Sequence, residues 1–144
     1  MRFTAEIEIN LPRDKVIELF SNPENLRYWQ AGFLSMEHLG GSRGEEGARS
    51  LLRYRTEKGD VELVETVVKK DFPHKYYGTY EGEGVWNDVK NHFHKVNGSI
   101  TKWKSHQEYK FSGKMKITAI FAPSTFKRQS EKSMELFKQF AERA

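Results

Sequence analysis

The stretch PSTFKRQSEKSMELFKQFAERA, residues 123–144, decides the fold. Phe126, Ser130, Ser133, Met134, Phe137, Phe140, Ala141 and Ala144 recur three or four residues apart, so they share one face of a helix beginning near Pro123. Lys127, Arg128, Glu131, Lys132, Glu135, Lys138 and Glu142 fall mostly outside it. A stripe of this kind must be buried against another layer. Two of its positions are serines where packing alone would favour leucine, which predicts incomplete closure over whatever lies beneath and leaves a gap for a ligand.

The layer beneath is written in the preceding seventy residues of strand pattern. The longest pair of runs, Val85 to Phe111, turns at Asn97-Gly98, a strong hairpin signal. A two-residue turn would set His92 opposite Trp103 and mix both faces. A bulged turn slips the pairing by one residue. Val85, Asn87, Val89, Asn91 and Phe93 then share the inner face with Thr101, Trp103, Ser105, Gln107, Tyr109 and Phe111. Lys90, His92, His94, Lys102, Lys104 and His106 share the other. The cleaner segregation favours the bulged register.

Toward the N-terminus, Phe3, Ala5, Ile7, Ile9 and Leu11 alternate with polar residues and predict a half-buried strand. Pro12 is expected at the first helical position ahead of Val16, Leu19 and Phe20. A second short helix is expected from Asn22-Pro23-Glu24, carrying Leu26 and Trp29. Residues 30 to 47 hold a short apolar run, Phe33 to Met36, and the stretch Gly40-Gly41-Ser42-Arg43-Gly44. That stretch lacks the spacing of a nucleotide-binding loop and reads as a mobile loop, with Trp29 beside it as a core anchor or a gate. Strands follow at residues 48–56, 61–70 and 75–81. In residues 61–68 two apolar sets compete for the inner face, and if the odd-numbered set wins, Glu65 goes inside with it.

A chain of 144 residues suits one domain, residues 1–144, with a sizeable core. The absence of cysteine excludes disulfides, thiolate catalysis and thiolate metal sites. No apolar run is long enough for an integral membrane segment or a signal sequence, so a cytoplasmic location is the expectation. The net charge of +4 comes from 24 basic and 20 acidic residues interleaved along the chain, without a basic block, so no nucleic acid partner is expected. His92, His94 and His106 stand among lysines that would repel a cation, and no metal or cofactor is expected.

The pattern Ile7-x-Ile9-x-Leu11-Pro12, Val16 to Phe20, Asn22-Pro23-Glu24-x-Leu26-x-x-Trp29, Gly98-x-x-Thr101 and Phe137-x-x-Phe140 resembles the START-like, helix-grip superfamily, also called SRPBCC, and within it the polyketide cyclase/dehydrase-like small bacterial proteins. The resemblance implies an α+β helix-grip fold, in which a curved antiparallel sheet wraps around a long C-terminal helix with two short helices after the first strand. It also implies an apolar cavity between sheet and helix. Carried to this sequence, that cavity would be lined by Trp29, Tyr54, Tyr80, Asn87, Val89 and Asn91. From the second hairpin strand and the last helix come Trp103, Ser105, Gln107, Tyr109, Met134 and Phe137. No catalytic set of the family's enzymes can be matched position by position.

Three functions follow as expectations. The first is binding of a small hydrophobic or amphipathic molecule, as a carrier or sensor, with the inner amides and hydroxyls fixing its orientation. The second is a cyclase/dehydratase-type enzyme with Glu65 or Tyr80 moving protons, which requires Glu65 to face inward beside another polar group. The third is a protein-interaction module using the basic hairpin face, with Lys102 and Lys104 as its test positions.

Overall fold

The computed structural model describes residues 1–144, apart from the side chains of Thr118 and Phe121. The first alternating run forms β1 (Arg2–Ile9), with Ala5 and Ile9 sealed from solvent. Pro12 stands one place earlier than expected. Its backbone is extended, its carbonyl accepts the N–H groups of Lys15 and Val16 at 3.1 Å, and α1 (Arg13–Ser21) starts after it. A proline N-cap lacks no hydrogen bond either, because the orphan N–H groups of a helix lie in its first turn. The Asn22 side chain accepts the Glu24 N–H at 3.0 Å and starts a 3₁₀ turn, Pro23–Asn25, which runs into α2 (Leu26–Trp29).

Residues 30 to 47 are not one loop. β2 (Phe33–Gly40) pairs antiparallel with β3 (Arg49–Thr56), which leaves only residues 41–48 as the connection. The strand escaped the sequence reading because an edge strand needs no clean alternation. Leu34, Met36 and Leu39 are all exposed, and the pairing with β3 slips twice. Gly32 makes the abrupt entry possible. Its φ is +76°, and a Cβ there would stand 2.1 Å from the Arg55 carbonyl oxygen.

β4 (Gly59–Asp71), β5 (Lys75–Gly82), β6 (Val85–Asn97) and β7 (Ile100–Phe111) complete a seven-stranded antiparallel sheet in the order β1-β7-β6-β5-β4-β3-β2. The hairpin takes the slipped register. Phe93 faces Trp103 and Asn91 faces Ser105, while His92 pairs with Lys104 and His94 with Lys102. The irregularity that produces it falls at Val96, between Lys95 and Asn97, and not at Gly98. Asn97 stiffens the turn by accepting the Ser99 N–H at 2.8 Å.

Two helices follow β7, where the sequence reading has one. α3 (Lys114–Phe121) packs on β7, and α4 (Thr125–Arg143) starts two residues beyond Pro123. In α3, Ile117 and Ile120 are both exposed. In α4, Phe126, Met134, Phe137 and Ala141 are buried, Ser130, Ser133 and Phe140 are half-buried, and Ala144 is exposed. α4 packs chiefly along β1 and against α2, and the β3–β5 limb of the sheet lies farther from it.

The core gathers at the α1–β6–β7 end. The Phe20 ring lies 5.0–6.1 Å from those of Trp29, Tyr76, Phe93, Trp103 and Phe137. Such contacts contribute about 0.5–1.5 kcal/mol each beyond the area they bury.

Candidate functional site

The sheet register lays one row of inward side chains across five strands. Ser50 stands opposite Glu65, Glu65 opposite Tyr80, Tyr80 opposite Asn87, and Asn87 opposite Tyr109. The competition within residues 61–68 is settled where Val67 is buried and Val68 is 51% exposed, so Glu65 shares the inner side with Val67. A slip in the β4–β5 pairing at Val68 lets the strand change faces afterwards. In the adjacent row Gly78 lies between Val67 and Val89 and presents no side chain. The Tyr80 ring reclines into that space, its hydroxyl 3.7 Å from where a Gly78 Cβ would stand.

The Tyr80 hydroxyl donates to Glu65 Oε2 at 2.8 Å, and the Tyr54 hydroxyl donates to Gln30 Oε1. Glu65 Oε1, Ser50 Oγ and the hydroxyls of Tyr76 and Tyr109 make no hydrogen bond among the described residues. Yet Trp29 Nε1 is the only side-chain nitrogen or oxygen among them that is both buried and unpartnered. The other four therefore border accessible space. Glu65 Oε1, Ser50 Oγ and Tyr76 Oη among them lie on the neighbouring strands β4, β3 and β5, a polar cluster without protein partners.

Desolvation pushes the Glu65 carboxyl above the ordinary range, against the opposing hydrogen bond from Tyr80. Burial raises Tyr54, Tyr76 and Tyr80 as well, and the nearby Glu65 carboxylate raises each further. Tyr109, raised by burial alone, reaches about 12. Glu65 forms no ion pair with a basic residue among the described residues.

The residues that the resemblance places around the cavity divide into three groups. Trp29, Trp103, Met134 and Phe137 are buried members of the core cluster, and Val89 is buried on the inner face of β6. The Trp29 ring is buried among Phe20, Trp103 and Phe137, the place of a core anchor. The amides and the serine meet one another. Trp103 Nε1 donates to Asn91 Oδ1 at 2.9 Å, Asn87 Nδ2 to the Glu108 carbonyl at 3.1 Å, and Gln107 Nε2 to Ser105 Oγ and Ser130 Oγ at 3.1 Å. Tyr54 and Tyr80 stand around Glu65, while Tyr109 packs between Phe3, Phe111 and Phe126. Ser50 and Tyr76 stand around Glu65 too and were missed. Ser50 carried a signal, a small hydroxyl at an inward position of β3 directly across from the ambiguous Glu65.

On the opposite face, the His92 ring lies 5.5 Å from His106 and 6.1 Å from His94. Tyr77 Oη is 3.2 Å from His92 Nε2, and Thr4 Oγ1 is 2.9 Å from His106 Nδ1. Partial burial, then His106, His94, Lys75 and Lys104, push His92 below its ordinary range. Among the described residues no group of histidines and carboxylates is placed to hold a metal ion, and no helix is long and apolar enough to cross a membrane. Two shallow depressions lie outside the interior. One of about 370 Å³ lies between Tyr28 and Phe140, and one of about 490 Å³ lies along Thr4, Lys90 and His106. Neither includes Glu65 or its hydroxyl neighbours.

A family model described as polyketide cyclase / dehydrase and lipid transport matches residues 1–142. No curated protein matches the chain by sequence. Among solved structures, a conserved protein from Geobacillus kaustophilus superposes with a TM-score of 0.86 at 15% identity, covering 99% of this chain and 96% of its own. The Zhui aromatase/cyclase from Streptomyces sp. R1128 superposes with a TM-score of 0.80 at 11% identity, covering 99% and 94%. A truncated norcoclaurine synthase from Thalictrum flavum gives 0.73 at 16% identity, covering 97% and 92%. At such identities the likeness is one of fold, the curved sheet gripping a C-terminal helix.

Proposed function

We propose, from the premise that the chain belongs to the polyketide cyclase / dehydrase and lipid transport family, that it holds one small hydrophobic or amphipathic molecule between the inner face of β3–β6 and α4. The observation that carries this reading is the set of inward polar atoms without protein partners, on strands away from β1, along which α4 packs. Leu52, Val67 and Val89 supply apolar wall beside them. A ligand burying about 300 Å² of apolar surface there would gain roughly 7 kcal/mol before the cost of association. The hydroxyl–carboxyl cluster would orient its polar end.

Native mass spectrometry of freshly purified protein, followed by denaturation and identification of released small molecules, tests the proposal. A stoichiometric hydrophobic passenger supports it, and so does its loss in Gly78→Leu, which places a bulky side chain in the space beside Tyr80. A protein that carries nothing and gains no thermal stability from a panel of lipids and polyketides counts against it.

A second reading, proton transfer on a bound carbonyl compound, is favoured by one contact. Glu65 faces inward and is hydrogen-bonded to Tyr80, a carboxyl–phenol pair able to take and return a proton. It requires catalysed exchange of α-hydrogens for deuterium in a bound ketone. Exchange no faster than in buffer removes it.

A further inference from the structure

The Glu65 carboxyl faces inward and accepts the Tyr80 hydroxyl. The chain carries 24 basic residues, yet none is placed against this carboxylate among the described residues. The hairpin lysines Lys90, Lys102 and Lys104 alternate with the inward residues and lie on the opposite side of the sheet. One Glu65 oxygen is occupied by the Tyr80 hydroxyl, and the other is free. Ser50, with an unused hydroxyl, stands directly across the strand pair from it. Tyr76, also with a free hydroxyl, lies within the electrostatic reach of the carboxylate.

An ammonium group has three N–H donors and accepts nothing, and the open cluster offers three free acceptors: Glu65 Oε1, Ser50 Oγ and Tyr76 Oη. A carboxylate held in a partly desolvated site without a cation is costly, and supplying the cation removes the cost. The aromatic rings of Tyr76 and Tyr80 add the electron-rich surroundings that a cation favours. An anionic head group would meet repulsion from Glu65, and a neutral one would leave the carboxylate unpaired. We infer that the ligand of the interior site is a hydrophobic primary amine, its ammonium seated on Glu65, Ser50 and Tyr76 and its apolar part on the inner face of the sheet. The inference rests on the binding function proposed above and narrows it to one chemical class.

The test titrates three chain-matched probes, n-octylamine, n-octanol and n-octanoate, into the protein and follows the fluorescence of core residues Trp29 and Trp103, with calorimetry as a second readout. The expected result is binding of the amine at least tenfold tighter than the alcohol, octanoate weakest, and loss of the amine's advantage over the alcohol in Glu65→Gln. Equal affinity for amine and alcohol in the wild-type protein overturns the inference and leaves the cavity standing, as does an amine preference that survives in Glu65→Gln. Failure of all three probes to bind overturns the cavity reading along with it. Equal binding of amine and alcohol by the wild-type protein overturns the inference even if Glu65→Gln does not fold.

Discussion

The two ends of the inner sheet face are built differently. At the α1 end, Phe20, Trp29, Phe93, Trp103 and Phe137 interlock at aromatic contact distances, the polar pair Trp103 and Asn91 is closed on itself, and Trp29 Nε1 is buried without a partner. At the β3–β5 end, a carboxyl and several hydroxyls face space that no protein group fills. A sheet that only needed to fold would fill both ends alike with apolar side chains, and this one does so at the α1 end only. The contrast separates the part of the molecule that supplies stability from the part free to do something else. It is sharpest where single substitutions should affect one end and spare the other.

The largest effect belongs to the closed end. Phe137 is fully buried and touches Phe20, Trp29 and Trp103. Phe137→Ala should lose about 3–5 kcal/mol, a large share of what a domain of this size has. Urea unfolding monitored by circular dichroism measures it. A loss below about 1 kcal/mol would mean that this end is as loosely filled as the other, and the contrast would fail.

The open end should respond in the opposite direction. Desolvation raises the folded-state pKa of Glu65 above that of the unfolded chain, so the folded state binds the extra proton. The stability linked to it is complete below the unfolded value and is lost as pH rises through the folded one. Glutamine imitates the neutral carboxyl and does not ionise. Glu65→Gln should match the wild-type protein near pH 4 and exceed it near pH 8, by on the order of 1 kcal/mol. Thermal melts across that range read the gap. A gap that stays constant or narrows toward alkaline pH would mean that Glu65 is solvated like a surface residue.

The closed end was legible in the sequence and the open end was only half so, for a physical reason. Core positions announce themselves by period. The alternation of residues 3–11, the stripe of α4 and the face segregation of the hairpin all follow from the repeat of a strand or helix, and even the slipped register was readable because one slip sends every side chain to the other face. An edge strand without a buried residue gives no such signal, which is why β2 was missed. Asn87, Asn91, Ser105 and Gln107 looked like ligand contacts because a sequence shows which polar groups point inward but not whether they find one another. The free acceptors came instead from pairings between strands, Ser50 with Glu65 and Glu65 with Tyr80, and those depend on a register set by turns elsewhere.

The smallest expected effect lies behind this face, on the outer side of the sheet. His92 sits beside His94 and His106, with Tyr77 at its ring and Lys75 and Lys104 nearby. These surroundings depress its folded-state pKa, so the unfolded chain binds the proton more readily. The linked stability is present above about pH 6.5, the ordinary histidine value, and is lost as pH falls through the lower folded value. Wild-type protein should therefore weaken between pH 7.5 and 5 more than His92→Gln does, and added salt should shrink the difference by screening the positive neighbours. Urea unfolding at the two pH values, with and without salt, measures it. The Glu65 effect runs the other way with pH, so the two variants together report on the two faces of one sheet. Identical pH profiles for His92→Gln and the wild-type protein would mean that His92 contributes nothing to the pH dependence of stability.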